Sequence, residues 1–149
     1  MAVTKEQDGI LKIIALGSCV AVIAVARRYR TIGMVHTVVP DSNSDPRKSR
    51  ITPGYYADTA IPTLLRMLRA SGVFNPRDIV IKLVGGSRTL VCHQDIGKRN
   101  ILACRKALWQ NKMAALAEDV GANHPRTVHV YAATGRVVIQ SPGRGEWEL

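Results

Sequence analysis

Hydrophobic residues in the first third of this chain form two short runs that are rich in β-branched side chains. The first run covers residues 10–25 and is interrupted by Gly17 and Ser18, and the second covers residues 31–39. Short apolar runs with many Val and Ile residues favour buried strands, and a glycine inside such a run marks a bend or bulge. The polar residues 27–30 between the runs are of hairpin length, so the pattern predicts two paired strands.

Two later segments repeat their apolar residues every three or four positions, which indicates helices that bury one face. The first covers residues 56–70 and the second residues 98–111. The predicted inner face of the second helix consists of Ile101, Cys104 and Leu108, with Leu102 and Trp109 as further candidates.

The remaining apolar segments are short, and residues 113–118 fit either a helix or a strand. The other segments predict strands at residues 79–84, 127–132 and 137–140. Strands followed by helix, strand, helix and strands predict one α+β (mixed α/β) domain over residues 1–149.

Three polar segments show neither the apolar runs of strands nor the apolar spacing of helices. Residues 1–9 predict a loose start, and residues 141–149 predict a tail that contains Gly and Pro. Residues 41–54 contain two prolines and predict a mobile surface loop after the second strand. Such a loop either gates a neighbouring site and binds its substrate, or simply connects two elements.

The composition is that of a globular protein, because 46% of the 149 residues are hydrophobic and 21% are charged. No apolar run approaches the roughly 20 residues that span a bilayer. The polar, partly acidic first residues do not resemble a signal peptide. We therefore expect a cytoplasmic protein with no segment inserted in a membrane.

The chain has three cysteines, Cys19, Cys92 and Cys104. An odd number without a secretion signal argues against a disulfide framework, and the absence of CxxC spacing argues against a zinc site. Cys104 lies on the apolar face of a predicted helix and is expected in the core. Cys92 is followed by His93 in a predicted loop, where adjacent residues seldom face each other.

The net charge of +10 favours acidic partners. The basic residues are grouped at positions 27–30, 47–50, 98–99 and 105–106. Nucleic acid, a membrane surface, an acidic protein and a purely solvated face all remain open on charge alone. Aromatic residues make up only 5% of the chain and show no pattern for stacking on bases, so no nucleic-acid partner is expected.

Cys19 and His36 are the two side chains on the first predicted strands that could make and break covalent bonds. A two-residue hairpin loop would place Cys19 opposite Val38 and Ala21 opposite His36. Side chains alternate along a strand, so Cys19 and Ala21 share a face, and Cys19 and His36 become diagonal neighbours with Cα atoms about 7–8 Å apart. An odd-length loop would place them on opposite faces.

This pair has both a catalytic and a structural interpretation. A cysteine attacks as the thiolate, and a neighbouring imidazole takes the thiol proton and later delivers it to the leaving group. Backbone N–H groups at Gly17 and Ser18 could stabilise an oxyanion. On spacing alone, however, a cysteine and a histidine on apolar strands are more often core residues.

Motifs along nearly the whole chain add to this pattern, and they occur in the following order: Leu16-Gly17-Ser18-Cys19-Val20-Ala21-Val22, Gly33-Met34-Val35-His36, Tyr56-Ala57-Asp58, Lys82-Leu83-Val84-Gly85-Gly86, Ile96-Gly97-Lys98-Arg99-Asn100 and Ala117-Glu118-Asp119. Together they resemble the CheD family of bacterial chemoreceptor glutamine deamidases. The resemblance implies stacked mixed β-sheets with two main helices on the outside, similar to the catalytic domain of cytotoxic necrotizing factor.

The resemblance also implies an activity, which is hydrolysis of the side-chain amide of selected glutamines on methyl-accepting chemoreceptors. By position, Cys19 matches the nucleophile that forms a thioester and His36 matches its acid–base partner. The implied reaction needs no metal or organic cofactor. Members of the family also bind the phosphatase CheC.

One position departs from the family pattern. Six residues before the cysteine, where the family has a threonine as third member of the triad, this chain has Ile13. An isoleucine cannot hydrogen-bond to an imidazole. Either another group orients His36, with the candidates Thr37, Asp41 and Asn43, or the alignment slips, or activity is impaired. The alternative function is therefore a catalytically weak or silent adaptor that binds CheC or receptors.

Overall fold

The computed structural model describes residues 1–88 and 95–149. Its strands are β1 (Ala2–Thr4), β2 (Ile10–Leu16), β3 (Val20–Ala26), β4 (Thr31–Thr37), β5 (Val80–Gly85), β6 (Ala115–Val120), β7 (Arg126–Tyr131), β8 (Val137–Ser141) and β9 (Gly145–Glu148). Its α-helices are α1 (Pro46–Ile51), α2 (Ala57–Ala70) and α3 (Ile96–Gln110).

The strands form two sheets that stack face to face. The first sheet has the strand order β1-β4-β3-β5-β6, in which β5 and β6 run parallel and the other neighbours run antiparallel. The second sheet is antiparallel, with the order β2-β7-β8-β9. The predicted α+β fold with stacked sheets and two main helices on the outside is confirmed.

Strand β3 lies at the centre of this arrangement and is buried along its whole length. Because side chains alternate, Val20, Val22 and Ala24 pack against α2 and α3, whereas the intervening residues pack against the second sheet. Coverage of both faces explains why this stretch of sequence is continuously apolar and not alternating.

The hairpin of β3 and β4 has the register that the parity argument predicts, since Ala21 lies opposite His36. The ladder ends at Val20 and Thr37, however, so the predicted pairing of Cys19 with Val38 is wrong. The N–H of Val38 donates to the carbonyl of Tyr55 at 2.8 Å instead. Cys19 thus lies in the loop before β3 and not within the ladder.

Both ends of the chain are more regular than predicted. The expected loose start contains β1, which pairs with β4, and the expected tail contains β9, which pairs with β8. Strands this short show no periodicity in the sequence, and they form because a neighbouring strand offers unpaired backbone groups at the sheet edge.

The segment at 41–54, predicted as a mobile loop, contains the short helix α1. The Asp45 carboxylate caps this helix by accepting from the N–H of Lys48 at 2.9 Å, and Pro46 occupies its first turn, where proline is favoured. The helix buries none of its residues, so its sequence has no hydrophobic periodicity from which it could be predicted.

The two long helices lie where the periodicity predicts them, and the ambiguous segment 113–118 contributes to strand β6. The proposed inner positions Leu102 and Trp109 are wrong, because these side chains are 52% and 77% exposed. Asn100 and Ala107 are buried on α3 instead. Among the described residues, no helix is long and apolar enough to cross a bilayer.

Candidate active site

Residues 17–19 join β2 to β3 and carry Cys19, and we call them the cysteine loop. All three of its carbonyl groups accept a hydrogen bond from another part of the chain. The donors, in loop order, are the N–H of Ser87 (2.8 Å), the side-chain amide of Asn100 (2.9 Å) and the N–H of Gly86 (2.7 Å). The orientation of three consecutive peptide groups is therefore fixed.

These bonds determine where the N–H groups of the loop point. In a trans peptide the C=O and N–H point in opposite directions, and the described residues contain no cis peptide. The anchored carbonyls of Gly17 and Ser18 therefore direct the N–H groups of Ser18 and Cys19 away from the groups that anchor them. Within the described residues, neither N–H donates to another residue. Two adjacent free donors beside a thiol are suited to bind an oxyanion.

The end of β5 and the turn after it can approach the cysteine loop because they carry two consecutive glycines, Gly85 and Gly86. Gly85 has φ +112°, and a Cβ there would lie 2.4 Å from the carbonyl oxygen of Cys19. Gly97 in the first turn of α3 is equally restricted, since its Cβ would lie 2.4 Å from the carbonyl oxygen of Gly86. The start of α3 therefore packs directly on the turn that supports the loop.

A buried charged group stabilises the same turn. Arg126 is only 2% exposed, and its guanidinium donates to the Asp119 carboxylate at 2.7 Å and to the Ser87 hydroxyl at 2.9 Å. The indole N–H of Trp147 donates to the other oxygen of Asp119 at 2.8 Å. The charge is paired, as a buried charge requires, and the network fixes the residue whose N–H supports Gly17.

The Cys19 thiol is partly buried at the edge of the core between the two sheets. Burial raises the pKa of this thiol above its ordinary value, and the N–H of Cys19 itself acts in the opposite direction by stabilising the thiolate. The thiol is therefore neutral at neutral pH and needs a base when it attacks.

His36 is the exposed residue of β4 and points to the same side of the first sheet as its ladder partner Ala21. Desolvation lowers the pKa of the imidazole, and the positive amino terminus lowers it further. The ring is therefore neutral at neutral pH and can accept a proton. Neither ring nitrogen of His36 makes a hydrogen bond in the described part of the chain.

Two cavities meet at His36. One of about 130 Å³ lies towards the second sheet, and Ile13 and His36 both line it. The other, of about 470 Å³, lies towards residues 52–55 and α2. Met1 lines both cavities. Ile13 thus faces the same space as the imidazole, and it offers that space no hydrogen-bonding group.

The other candidates for orienting His36 lie elsewhere. The Thr37 hydroxyl donates to the carbonyl of Val20 at 2.9 Å and contacts the Cys104 thiol on the helix side of the sheet. The Asp41 carboxylate accepts from the N–H of Asn43 at 2.7 Å. Within residues 1–88 and 95–149, no hydrogen bond joins Thr37, Asp41 or Asn43 to the imidazole, so none of them replaces the missing threonine.

Of the other two cysteines, the structure describes only Cys104. Cys104 is fully buried in the helix-side core, as predicted, and burial raises the pKa of its thiol to about 11. Cys92 and its neighbour His93 lie outside the described residues.

Asn100 is a site residue that the pattern analysis missed. Its signal was present, because an amide at position 100 lies on the same helix face as Cys104, Ala107 and Leu108. A polar side chain on a buried face needs a hydrogen-bond partner, and here the partner is the cysteine loop.

Comparisons with known proteins agree on one family. The profile described as CheD chemotactic sensory transduction matches residues 38–141. A protein of Syntrophotalea carbinolica named probable chemoreceptor glutamine deamidase CheD is 41% identical over 99% of this chain and 93% of its own length. A protein of Syntrophus aciditrophicus named probable chemoreceptor glutamine deamidase CheD 1 is 36% identical over 95% of this chain and 89% of its own length. A protein of Symbiobacterium thermophilum named probable chemoreceptor glutamine deamidase CheD is 36% identical over 100% of this chain and 92% of its own length.

Proposed function

Because the chain belongs to the CheD family, we propose that it is a chemoreceptor glutamine deamidase, which converts selected glutamines of methyl-accepting chemoreceptors to glutamate and releases ammonia. The observation that carries the proposal is the cysteine loop, in which a partly buried thiol lies beside two anchored peptide groups with free N–H donors. The relatives' names supply the substrate class.

The proposed reaction uses Cys19 as the nucleophile and His36 as the acid and base. His36 takes the thiol proton as the sulfur attacks the glutamine side-chain carbonyl, and the N–H groups of Ser18 and Cys19 bind the resulting oxyanion. His36 then gives its proton to the departing ammonia. Water, deprotonated by His36, hydrolyses the thioester and regenerates the thiol. The chain's own groups account for every step, without a cofactor.

The pKa directions support a general-base mechanism over a preformed ion pair. The pKa of Cys19 is raised and that of His36 is lowered. Both shifts favour the neutral thiol and the neutral imidazole at rest. Proton transfer therefore accompanies attack on the substrate, and the position of the imidazole at that moment governs the rate.

The surface around the larger cavity suits an acidic protein substrate. Arg47, Lys48 and Arg50 are exposed on α1, and the chain continues directly into residues 52–55, which form one wall of the cavity beside His36. We propose that these charges steer the acidic methylation helices of the receptor towards the imidazole side of the site.

We also propose a cytoplasmic location, in keeping with the thiols of Cys19 and Cys104, which form no disulfide.

The test is incubation with purified cytoplasmic fragments of chemoreceptors, read by ammonia release and by the mass change from Gln to Glu at individual peptides. Cys19→Ala is expected to abolish both signals. Cys104→Ala is the matched control, because it removes a thiol from the core on the other side of the sheet and should retain activity. Deamidation that survives Cys19→Ala would overturn the assigned mechanism.

A specific observation also favours the alternative of a silent adaptor. Ile13 lines the cavity at His36, and no described residue hydrogen-bonds to the imidazole. An adaptor that docks on receptors or on CheC would bind them equally well after Cys19→Ala or His36→Ala. It would release no ammonia from any receptor fragment, and this result would decide in its favour.

A further inference from the structure

We propose that Asn100 is a positioning residue that orients the Ser18–Cys19 peptide group for the reaction at Cys19. The inference rests on the proposed deamidase function. It adds a residue that lies on α3, far along the sequence from the cysteine and the histidine.

Asn100 connects the two segments that carry the reacting groups. One nitrogen of its side chain, Nδ2, donates both of its hydrogens, to the carbonyl of Ser18 at 2.9 Å and to the carbonyl of Val38 at 2.9 Å. Ser18 precedes the nucleophile, and Val38 follows the strand that carries His36. A single amide group therefore fixes the cysteine loop relative to the end of β4.

The bond to Ser18 also determines the direction of a proposed oxyanion donor. The Ser18 carbonyl and the Cys19 N–H belong to one trans peptide group and point in opposite directions. Holding the carbonyl against Asn100 therefore keeps the N–H on the opposite side, where it stabilises the thiolate of Cys19. Of the three groups that anchor the loop, the other two are backbone N–H groups, so Asn100 is the anchor that depends on a side chain.

The environment of Asn100 argues against a role in packing alone. The side chain is fully buried, and its Oδ1 has no hydrogen-bond partner among the described residues. A buried acceptor without a partner destabilises a fold. An apolar residue, like the others on this face of α3, would serve packing better, so the amide at this position is explained by its two donated bonds.

The first test compares the steady-state kinetics of Asn100→Ala with those of wild type on a receptor fragment. Without the anchor, the Ser18–Cys19 peptide can rotate and its N–H leaves the oxyanion. Removal of an oxyanion donor lowers kcat by about 10²–10³-fold, and because the peptide group remains in place we expect a loss of about 10- to 100-fold. The KM should stay within about twofold, because the lost interaction forms in the transition state.

Asn111→Ala is the matched control. Asn111 lies just beyond the end of α3, and its side chain donates one hydrogen bond, at 2.7 Å, to the carbonyl of Ala107 within the helix. We expect its kcat and KM to equal those of wild type. An equal loss of kcat in both variants would assign the effect to the stability of α3 and overturn the proposal, as would an unchanged kcat in folded Asn100→Ala.

The second test needs no receptor. The rate of Cys19 alkylation by iodoacetamide is followed against pH, and peptide mass spectrometry resolves the three cysteines, because trypsin places them on separate peptides. Loss of the anchored N–H removes a group that lowers the pKa of this thiol, so Asn100→Ala should shift the midpoint to higher pH and Asn111→Ala should not. An unchanged midpoint in Asn100→Ala overturns the proposal.

The two readouts separate failure of this inference from failure of the proposed function. If wild type deamidates no receptor yet the midpoint shifts in Asn100→Ala, the deamidase proposal fails and the positioning role stands. If wild type is active and neither kcat nor the midpoint changes, the positioning role fails alone. Should Asn100→Ala not fold, Asn100→Ser leaves a polar group in the same space and is expected to change both quantities in the same direction.

Discussion

Replacing Ile13 by threonine is expected to increase the deamidation rate of this chain. Ile13 lines the 130 Å³ cavity that His36 also lines. A threonine there has the same β-branched shape, which suits strand β2, and brings a hydroxyl into a space where the imidazole has no described partner. The hydroxyl oxygen can accept from the ring N–H that faces away from the thiol and so fix the tautomer and orientation of the base.

The expected gain has a lower and an upper bound. A net hydrogen bond of about 0.5–1.5 kcal/mol corresponds to about two- to tenfold in rate. The third member of a hydrolytic triad is worth at most about 10⁴-fold. We therefore expect kcat to rise at least about twofold. The cost in stability is small, because Ile13 is only partly buried, and the loss of one to two buried carbons lowers the free energy of unfolding by about 1 kcal/mol.

The assay is ammonia release from a receptor fragment at saturating concentration, with thermal unfolding measured in parallel. Ile13→Val removes a similar amount of side chain without adding a hydroxyl and should leave kcat unchanged. Ile14→Thr adds the hydroxyl to the adjacent residue, which is 66% exposed and faces solvent, and should also leave kcat unchanged. A folded Ile13→Thr protein with wild-type kcat would refute the reasoning, because the orientation of His36 would then not limit the rate.

Three further outcomes follow from the same geometry. Because the pKa of His36 lies below its ordinary value of 6.5 and that of the thiol above 9.0, kcat/KM should reach half its maximum below pH 6.5 and stay level up to about pH 9. Gly85→Ala should lower the free energy of unfolding by more than about 3 kcal/mol and abolish deamidation, because the new Cβ meets the cysteine loop. Its control is Gly121→Ala, which has φ +79° and no atom within 4 Å of the new Cβ, and which should lower the free energy of unfolding by only about 1 kcal/mol. Arg47→Glu with Arg50→Glu should raise KM at low salt and leave kcat unchanged.

Each of these three predictions can be contradicted by a specific result. An acid limb with its midpoint well above pH 6.5 would mean that the pKa of His36 is raised and not lowered. A kcat/KM that instead falls as the pH rises through 6.5 would mean that His36 acts from its protonated form. Equal stability of the two glycine variants would mean that the turn after β5 does not press against the loop. A KM that ignores both the charge reversal and the salt concentration would mean that α1 plays no part in docking.

The hairpin that carries the two reacting residues could be predicted because its information is local. Parity and alternation are properties of strands and need no knowledge of the rest of the fold, and the observed register of Ala21 against His36 follows from them. The elements that were mispredicted depend on distant partners. Strands β1 and β9 exist because a sheet edge was available, and α1 exists through its cap and not through a buried face.

The support of the cysteine loop could not be predicted for the same reason. Its anchors come from the turn after β5 and from α3, and nothing in the loop's own sequence specifies them. The family motifs mark Gly85, Gly86 and Asn100 as positions without giving them a physical role. The structure supplies the roles: the glycines permit backbone to approach within a distance that a Cβ would block, and the Asn100 amide bridges the cysteine loop and the segment after β4.

The two halves of the proposed site are constrained to very different degrees, and this difference bears on the rate. The loop of Cys19 is anchored at three consecutive carbonyls, whereas the ring of His36 is exposed, lacks a described hydrogen bond and lies between two cavities. The thiol and the imidazole are both neutral at rest, so the proton must move during attack, and only conformers with the imidazole against the thiol are productive. The proposed site is therefore rigid on the side of the thiol and unconstrained on the side of the imidazole, where Ile13 offers no hydrogen bond. It follows that the orientation of His36, and not the position of the thiol, is the step at which a single substitution can raise the rate.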